Sequence, residues 1–444
     1  MTSYGGRAGF VALIAALVIA CGGTAPSTSP PPTTPSEPPS SGPTSAPAPT
    51  PTSSTPTSSD PSGSPSAEPT GTPIPQEGWV QLAAASDASA VWAPDAAHIL
   101  VELAEPGEAP ERQQVQLIRR DGTVVRTYDE LANPIWLDAQ RFVVYRLEWV
   151  QDSTGAWYAL TGPNGEVGGD ALQGELASDA LVAIDMPLGS GVAYSNGHGS
   201  LAVERFGPNG ERETAVWSEG SLTEWLNGSS VSWSAAGDRL ALVHPQGSGP
   251  AQEGPLEVVA WPGLATVWES APEVSVSVAE FDTTGTKLAF PEFVERPRVP
   301  RQVPEFDLIV NVVDLSTGTV SPVPAPENGD FAWITDDRLL TVGFESLQAS
   351  VLDLSGEILV QESVAGPNVI ASADGQTALL YDAELDEPQM QILRGDELTL
   401  LESPGLITGQ APQMARDGTG VLVVVRAETS SPIGSPATVL LHNL

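Results

Sequence analysis

Trp233-Ser234-Ala235-Ala236-Gly237, followed by Leu240-Ala241-Leu242-Val243, is the stretch from which the fold can be read. An aromatic ends one strand, a small polar turn follows, and an apolar run opens the next strand. The same unit recurs along the chain. Trp92-Ala93-Pro94-Asp95 precedes His98-Ile99-Leu100-Val101, and Trp136-Leu137-Asp138 precedes Arg141-Phe142-Val143-Val144. Ser178-Asp179 before Leu181-Val182-Ala183-Ile184 reads as the third copy, and the stretch quoted above as the fourth. Phe281-Asp282-Thr283-Thr284-Gly285 precedes Leu288-Ala289-Phe290, and Trp333-Ile334-Thr335-Asp336 precedes Leu339-Leu340-Thr341-Val342. Ser372-Ala373-Asp374-Gly375 and Ala415-Arg416-Asp417-Gly418 open the last two. Asp can accept from backbone amides two residues on, and Gly supplies positive φ, so each copy is a tight turn between strands.

A second hairpin follows in most copies, at Arg120-Asp121-Gly122-Thr123, Gly162-Pro163-Asn164-Gly165, Gly207-Pro208-Asn209-Gly210, Leu315-Ser316-Thr317-Gly318 and Leu354-Ser355-Gly356-Glu357. Asn-Gly and Asp-Gly between apolar runs are strong hairpin signals. Four strands therefore recur about every 46 residues, the size of a propeller blade. The fold class is all-β: a β-propeller of eight four-stranded blades, with seven as the alternative. A four-stranded sheet cannot bury both faces alone, whereas blades stacked in a ring can. The recurrent Trp and Phe are then core residues between blades. The eighth copy runs out at Leu444 without an outer strand, and Trp79–Ala84 has no partner of its own. The N-terminal strand is expected to close the ring on the last blade.

Trp92-Ala93-Pro94-Asp95, Trp233 to Ala241 and Phe281 to Ala289 are similar to the repeats of TolB-type, WD-like propellers of exported bacterial proteins. The resemblance covers residues 77–444. It implies the fold and a tendency to bind proteins or small ligands, and no single activity.

Before the repeats, residues 22–76 are almost entirely Pro, Ser, Thr, Gly and Ala. Nothing there can offset the entropy of folding, so a disordered Pro/Ser/Thr tether is expected. Its extended reach is on the order of 170 Å. Before it stands an apolar run, Ala8 to Ala20, too short to span a bilayer and of signal-peptide length. It ends in Val18-Ile19-Ala20-Cys21, which resembles the lipobox of bacterial lipoproteins. That resemblance implies cleavage after Ala20 and a lipid on Cys21. The expected domains are a lipoprotein signal peptide (1–20), the lipidated Cys with its tether (21–76) and the propeller (77–444). The location implied is the cell membrane, facing outside the cytoplasm. Cys21 is the only cysteine of the 444 residues, so no intrachain disulfide competes for it.

The chain carries 56 acidic and 18 basic residues, a formal net charge of -38. Such a surface repels phosphate backbones, so no nucleic-acid partner is expected. No G-x-S-x-G elbow, metal-ligand spacing or calcium loop is present. His98, His198, His244 and His442 are scattered, and Asp382, Glu384, Asp386 and Glu387 read as a solvated acidic loop. No catalytic residue, metal or cofactor is assigned. One insertion stands apart, residues 291–306, with Arg296, Arg298 and Arg301 in a Pro-rich run. Arginine is favoured at binding hot spots, and long loops on rigid scaffolds carry function. The reading is a monomeric, lipid-anchored propeller that binds an unknown protein or small-molecule ligand. The alternatives are a carbohydrate-active hydrolase or lyase with carboxylates around the central channel, or an envelope-assembly scaffold.

Overall fold

Most of the apolar runs that follow the turns show no polar alternation because both of their faces are buried. In the computed structural model, described for residues 78–104, 113–151, 157–160, 167–187, 193–207, 211–246, 253–295, 306–382, 389–395, 397–407, 410–426 and 437–444, seven of these eight runs are second strands in a ring of eight antiparallel blades. From the inner strand outward, blade 1 is Asp87–Trp92, His98–Ala104, Gln114–Arg119 and Val124–Asp129. Blade 2 is Ala132–Trp136, Arg141–Leu147, Gly169–Glu175 and Ser178–Ile184. Blade 3 is Ala193–Ser195, Ser200–Phe206 and Arg212–Ser218, with two short segments, Ser221–Leu222 and Leu226–Asn227, sharing the outer place. Blade 4 is Ser229–Trp233, Arg239–Val243, Leu256–Ala260 and Ala265–Glu269. Blade 5 is Glu280–Phe281, Lys287–Glu295, Phe306–Asp314 and Thr319–Pro324. Blade 6 is Gly329–Thr335, Arg338–Gly343, Gln348–Asp353 and Ile358–Ser363. Blade 7 is Asn368–Ala371, Thr377–Asp382, Gln389–Arg394 and Glu397–Glu402. In blade 8 the inner place is split between Leu406–Ile407 and Gln413–Met414, followed by Gly420–Arg426 and Ala437–Asn443.

The outer strand of blade 8 is Trp79–Ala85, antiparallel to Ala437–Asn443 with Trp79 opposite His442. The N-terminal strand thus closes the ring as expected. The inner strands touch in an unbroken cycle, from blade 1 through blade 8 and back to blade 1.

The core lies between blades, one apolar cluster at each of the eight junctions. Leu100 faces Trp136, Phe142 and Val144 of blade 2, while its neighbours Ile99 and Val101 face Leu422 and Val424 of blade 8. Leu240 and Leu242 likewise face blade 3, and Ala241 and Val243 face blade 5. Successive strand residues point to opposite faces, so a strand sandwiched between two blades must be apolar throughout.

The aromatic that ends an inner strand fills the junction with the preceding blade. In three blades its indole also donates to the preceding blade's inner-strand backbone: Trp136 Nε1 to Val91 O at 3.2 Å, Trp233 Nε1 to Tyr194 O at 3.0 Å, and Trp333 Nε1 to Glu280 O at 2.9 Å. These bonds tie blade 2 to 1, 4 to 3 and 6 to 5. Trp333→Phe keeps most of the ring but leaves the Glu280 carbonyl without this donor. Its urea midpoint should fall by about 1 kcal/mol equivalent, the usual net value of one such bond, and no change would show that the indole acts only as filler.

One expectation is corrected. Ser178–Ile184 is not the start of blade 3 but the outer strand of blade 2. Leu181 to Ile184 looked like a buried run, yet Val182 is 61% exposed, because an outer strand packs on one face at most. Blade 3 begins at Ala193, and its turn is Asn196-Gly197-His198-Gly199 before Ser200. Ser195 stands there in place of the aromatic, which removed the signal. The Gly207 hairpin is also displaced, joining the second and third strands of blade 3 rather than the third and fourth.

Candidate functional site

All turns between inner and second strands emerge at one end of the ring, since successive turns of an antiparallel blade alternate ends. Their local chemistry is shared. The residue after the inner strand donates its N–H to the carbonyl that opens the second strand: Ala93 to His98, Asn196 to Ser200, Ser234 to Arg239, Asp282 to Lys287, Ser372 to Thr377 and Ala415 to Gly420. Where that residue is polar its side chain accepts amides as well. Asn196 Oδ1 takes His198 N and Ser200 N, and Asp282 Oδ1 takes Lys287 N.

Neighbouring turns are stitched together. Gly199 N donates to Leu137 O, Asn196 Nδ2 to Gly237 O, Lys287 Nζ to Asp336 O, and Ala373 N to Arg416 O. The collar that results frames an open hollow of about 660 Å³ on the turn face. Four turns line it: Pro94 and Asp95 of blade 1, Asp138 to Arg141 of blade 2, Gly197 and His198 of blade 3, and Arg416 of blade 8. Glu175, at the end of the third strand of blade 2, completes the rim.

Arg416 reaches from blade 8 to the turn of blade 3. A Cβ built on Gly197 would lie 2.6 Å from its guanidinium, so any larger residue there would displace the Arg416 head, and the φ of +72° favours glycine. Most polar groups on the rim are already committed. Arg141 is paired with Asp138, Nη2 to Oδ2 at 2.7 Å. Burial works against the charge on Asp138, but hydrogen bonds from Gln140 N and from Arg141 hold its carboxyl below the usual carboxylate range. A carboxyl so held is a poor proton donor near neutral pH. His198 Nε2 lies 3.0 Å from Ala235 O. Asp417, next to Arg416, accepts from Thr419 N at 3.0 Å and Thr419 Oγ1 at 2.6 Å, and lies 3.7 Å from Arg120.

The opposite end of the ring carries the insertion in blade 5. Lys287–Glu295 and Phe306–Asp314 pair without a break from Lys287↔Asp314 to Glu295↔Phe306. Each has nine residues, against seven or fewer in every other described strand. Near the tip Phe293 and Val294 are each 40% exposed. Adjacent residues point to opposite faces, so apolar surface is exposed on both sides of the hairpin here. Arg296, Arg298 and Arg301, like Cys21 and the tether, lie outside the described residues.

The four histidines sit apart. His98 opens the second strand of blade 1, His198 is in the turn of blade 3, His244 is 3.0 Å from Glu257 in blade 4, and His442 packs edge-on against Trp79. Among the described residues no group of three or more His, Cys, Asp or Glu is placed to hold a metal ion.

Sequence reading missed Arg416 because a turn Arg beside Asp reads as a local ion pair. It also missed Glu204, 2% exposed on the second strand of blade 3. Its Oε2 meets Arg212 Nη1 at 3.0 Å, and its Oε1 accepts from Ser229 Oγ, Ser230 N and Ser230 Oγ of blade 4.

No family model matches the chain, and no curated protein does. Among solved structures it is similar to the eukaryotic initiation factor at 12% identity and a TM-score of 0.49, over 80% of this chain and 85% of that one. It is similar to BamB from Moraxella catarrhalis at 11% identity and 0.42, over 82% of this chain and 99% of that one. It is similar to the tricorn protease at 11% identity and 0.40, over 74% of this chain but only 40% of that one. At these scores the eight-blade arrangement stands on the strand pairing alone.

Proposed function

We propose that this chain is an exported, lipid-anchored binding module whose propeller presents the blade 5 hairpin to a protein partner. The observation that carries the reading is the hairpin, a nine-residue pair in full register with apolar side chains exposed on both faces near its tip. A long paired hairpin holds its tip in place at little entropic cost, which is what a binding loop requires. The sequence places Arg296, Arg298 and Arg301 between the two strands of the hairpin, residues suited to an acidic partner surface. Cys21 at the end of an apolar leader supports the anchor, and the Pro/Ser/Thr tether supports display away from the membrane. The module is monomeric in this reading and acts outside the cytoplasm.

The test uses three full-length chains in the native host: wild type, Cys21→Ser, and a triple charge reversal at Arg296, Arg298 and Arg301. Each carries a photo-crosslinker at position 293. Wild type is expected in the membrane fraction with discrete cross-linked adducts. Cys21→Ser should move to the soluble fraction, and its retention on membranes would overturn the anchor. The triple reversal should stay on membranes and lose its adducts; unchanged adducts would overturn the hairpin's role.

A further inference from the structure

Arg416 has no part in the hairpin, and its place at the other end of the ring raises a separate question. Its backbone is pinned, with its carbonyl accepting from Ala373 N at 3.0 Å and the turn closed by Ala415 N to Gly420 O at 2.9 Å. The side chain is then directed from a fixed base toward Gly197. The guanidinium makes no hydrogen bond or ion pair within the described residues, although this protein holds 56 acidic side chains against 17 arginines. Asp417, next to it in sequence, is occupied by Thr419, and Asp138 on the same rim by Arg141. Burial lowers the pKa of Arg416, and no charge partner counters it. A half-buried cation without a partner costs the fold stability and contributes no bond to it. Such a group is the expected sign of a site for an external anion.

We propose that the pocket at the mouth of the turn face is a carboxylate-binding site, with Arg416 as its anchor and Pro94 and Gly197 as its apolar wall. Geometry and charge select the class of anion. A guanidinium presents two parallel N–H donors that match the two oxygens of one carboxylate. Asp95, Asp138 and Glu175 on the same rim repel negative charge, so a phosphate dianion is opposed more strongly than a carboxylate monoanion. A volume of about 660 Å³ leaves room for the organic body that carries the carboxylate. A small organic acid and the free C-terminus of a peptide both offer this group.

The full-length chain is titrated calorimetrically with propionate, with a short uncharged-side-chain peptide as its free acid, with the same peptide as its C-terminal amide, and with inorganic phosphate. One bidentate charge-assisted contact supports a Kd on the order of 1 mM. Propionate and the free-acid peptide should bind and raise the melting temperature. A tighter constant for the peptide assigns the site to chain ends, and equal constants assign it to small acids. Arg416→Gln should weaken binding about tenfold or more while melting no lower than wild type, since it removes no internal bond. Arg416→Lys keeps the charge without the fork and should fall between the two. Amide binding as tight as free-acid binding would overturn the proposal. So would phosphate binding at least as tight as propionate, or unchanged binding by Arg416→Gln. A marked drop in the melting temperature of Arg416→Gln would also overturn it, by showing an internal role for the guanidinium.

Discussion

A propeller that begins at residue 87 instead of 77 should lose its cooperative unfolding transition. Trp79–Ala85 is the whole outer strand of blade 8, with six residue pairs against Ala437–Asn443 on either side of a bulge at Leu82. Leu82 from this strand is buried in the cluster that joins blade 8 to blade 1, alongside Trp92, Ile99, Leu422 and Leu441. The Trp79 indole donates to Glu402 O of blade 7 at 3.0 Å, so the strand binds three blades at once. Burial of Leu82 alone is worth about 1.5–3 kcal/mol, and several ladder bonds add about 1 kcal/mol each. The sum is comparable with the entire stability of a domain, about 5–15 kcal/mol. Removal also bares the edge of Ala437–Asn443, which invites pairing between molecules. Calorimetry on the 77–444 and 87–444 fragments decides the matter. Equal melting temperatures would refute ring closure by this strand.

The second large effect is expected inside blade 3. Glu204→Ala leaves Arg212, 8% exposed, as a buried cation without its counter-charge, and strips the acceptor from Ser229 and Ser230. Breaking a buried pair in this way costs about 3–5 kcal/mol. The site amplifies the cost, because Glu204 joins blade 3 to blade 4 where the apolar cluster is small and blade 3 has no continuous outer strand. Replacing both partners, as Glu204→Leu with Arg212→Met, should recover a large part of the loss, since no charge is then stranded. Urea unfolding of the two variants provides the comparison. If the double variant is as unstable as Glu204→Ala, the loss comes from packing and not from the orphaned charge.

These two sites differ in how far the chain announces them. The turns could be read because Asp and Gly act locally: Asp282 binds Lys287 N and Gly285 sits at φ +72° within one short segment. Closure could be read from arithmetic, since blade 8 lacked a strand and Trp79–Ala85 lacked a partner. Blade 3 was misplaced because Ser195 carries no aromatic signal and Val182 belongs to an apolar run that is exposed. Glu204 and Arg212 lie eight residues apart in sequence, but the serines that complete their network come from the next blade. Arg416 meets Gly197 only because the ring brings the turns of blades 8 and 3 to one mouth. Contacts set by a turn are written in the sequence around it, whereas contacts set by the ring depend on every blade between them.

The closing strand carries a further consequence, for the order in which the protein is made. Trp79 emerges more than 360 residues before its partner His442. Seven blades can pair as they emerge, but blade 8 draws on strands from the two ends of the propeller and waits for Ala437–Asn443. Until then the first strand has no ladder to join, and the apolar side of Leu82 stays uncovered. A chain released before Ala437–Asn443 is made therefore yields the same open ring as one that lacks Trp79–Ala85, so two lesions far apart in the message break one and the same joint.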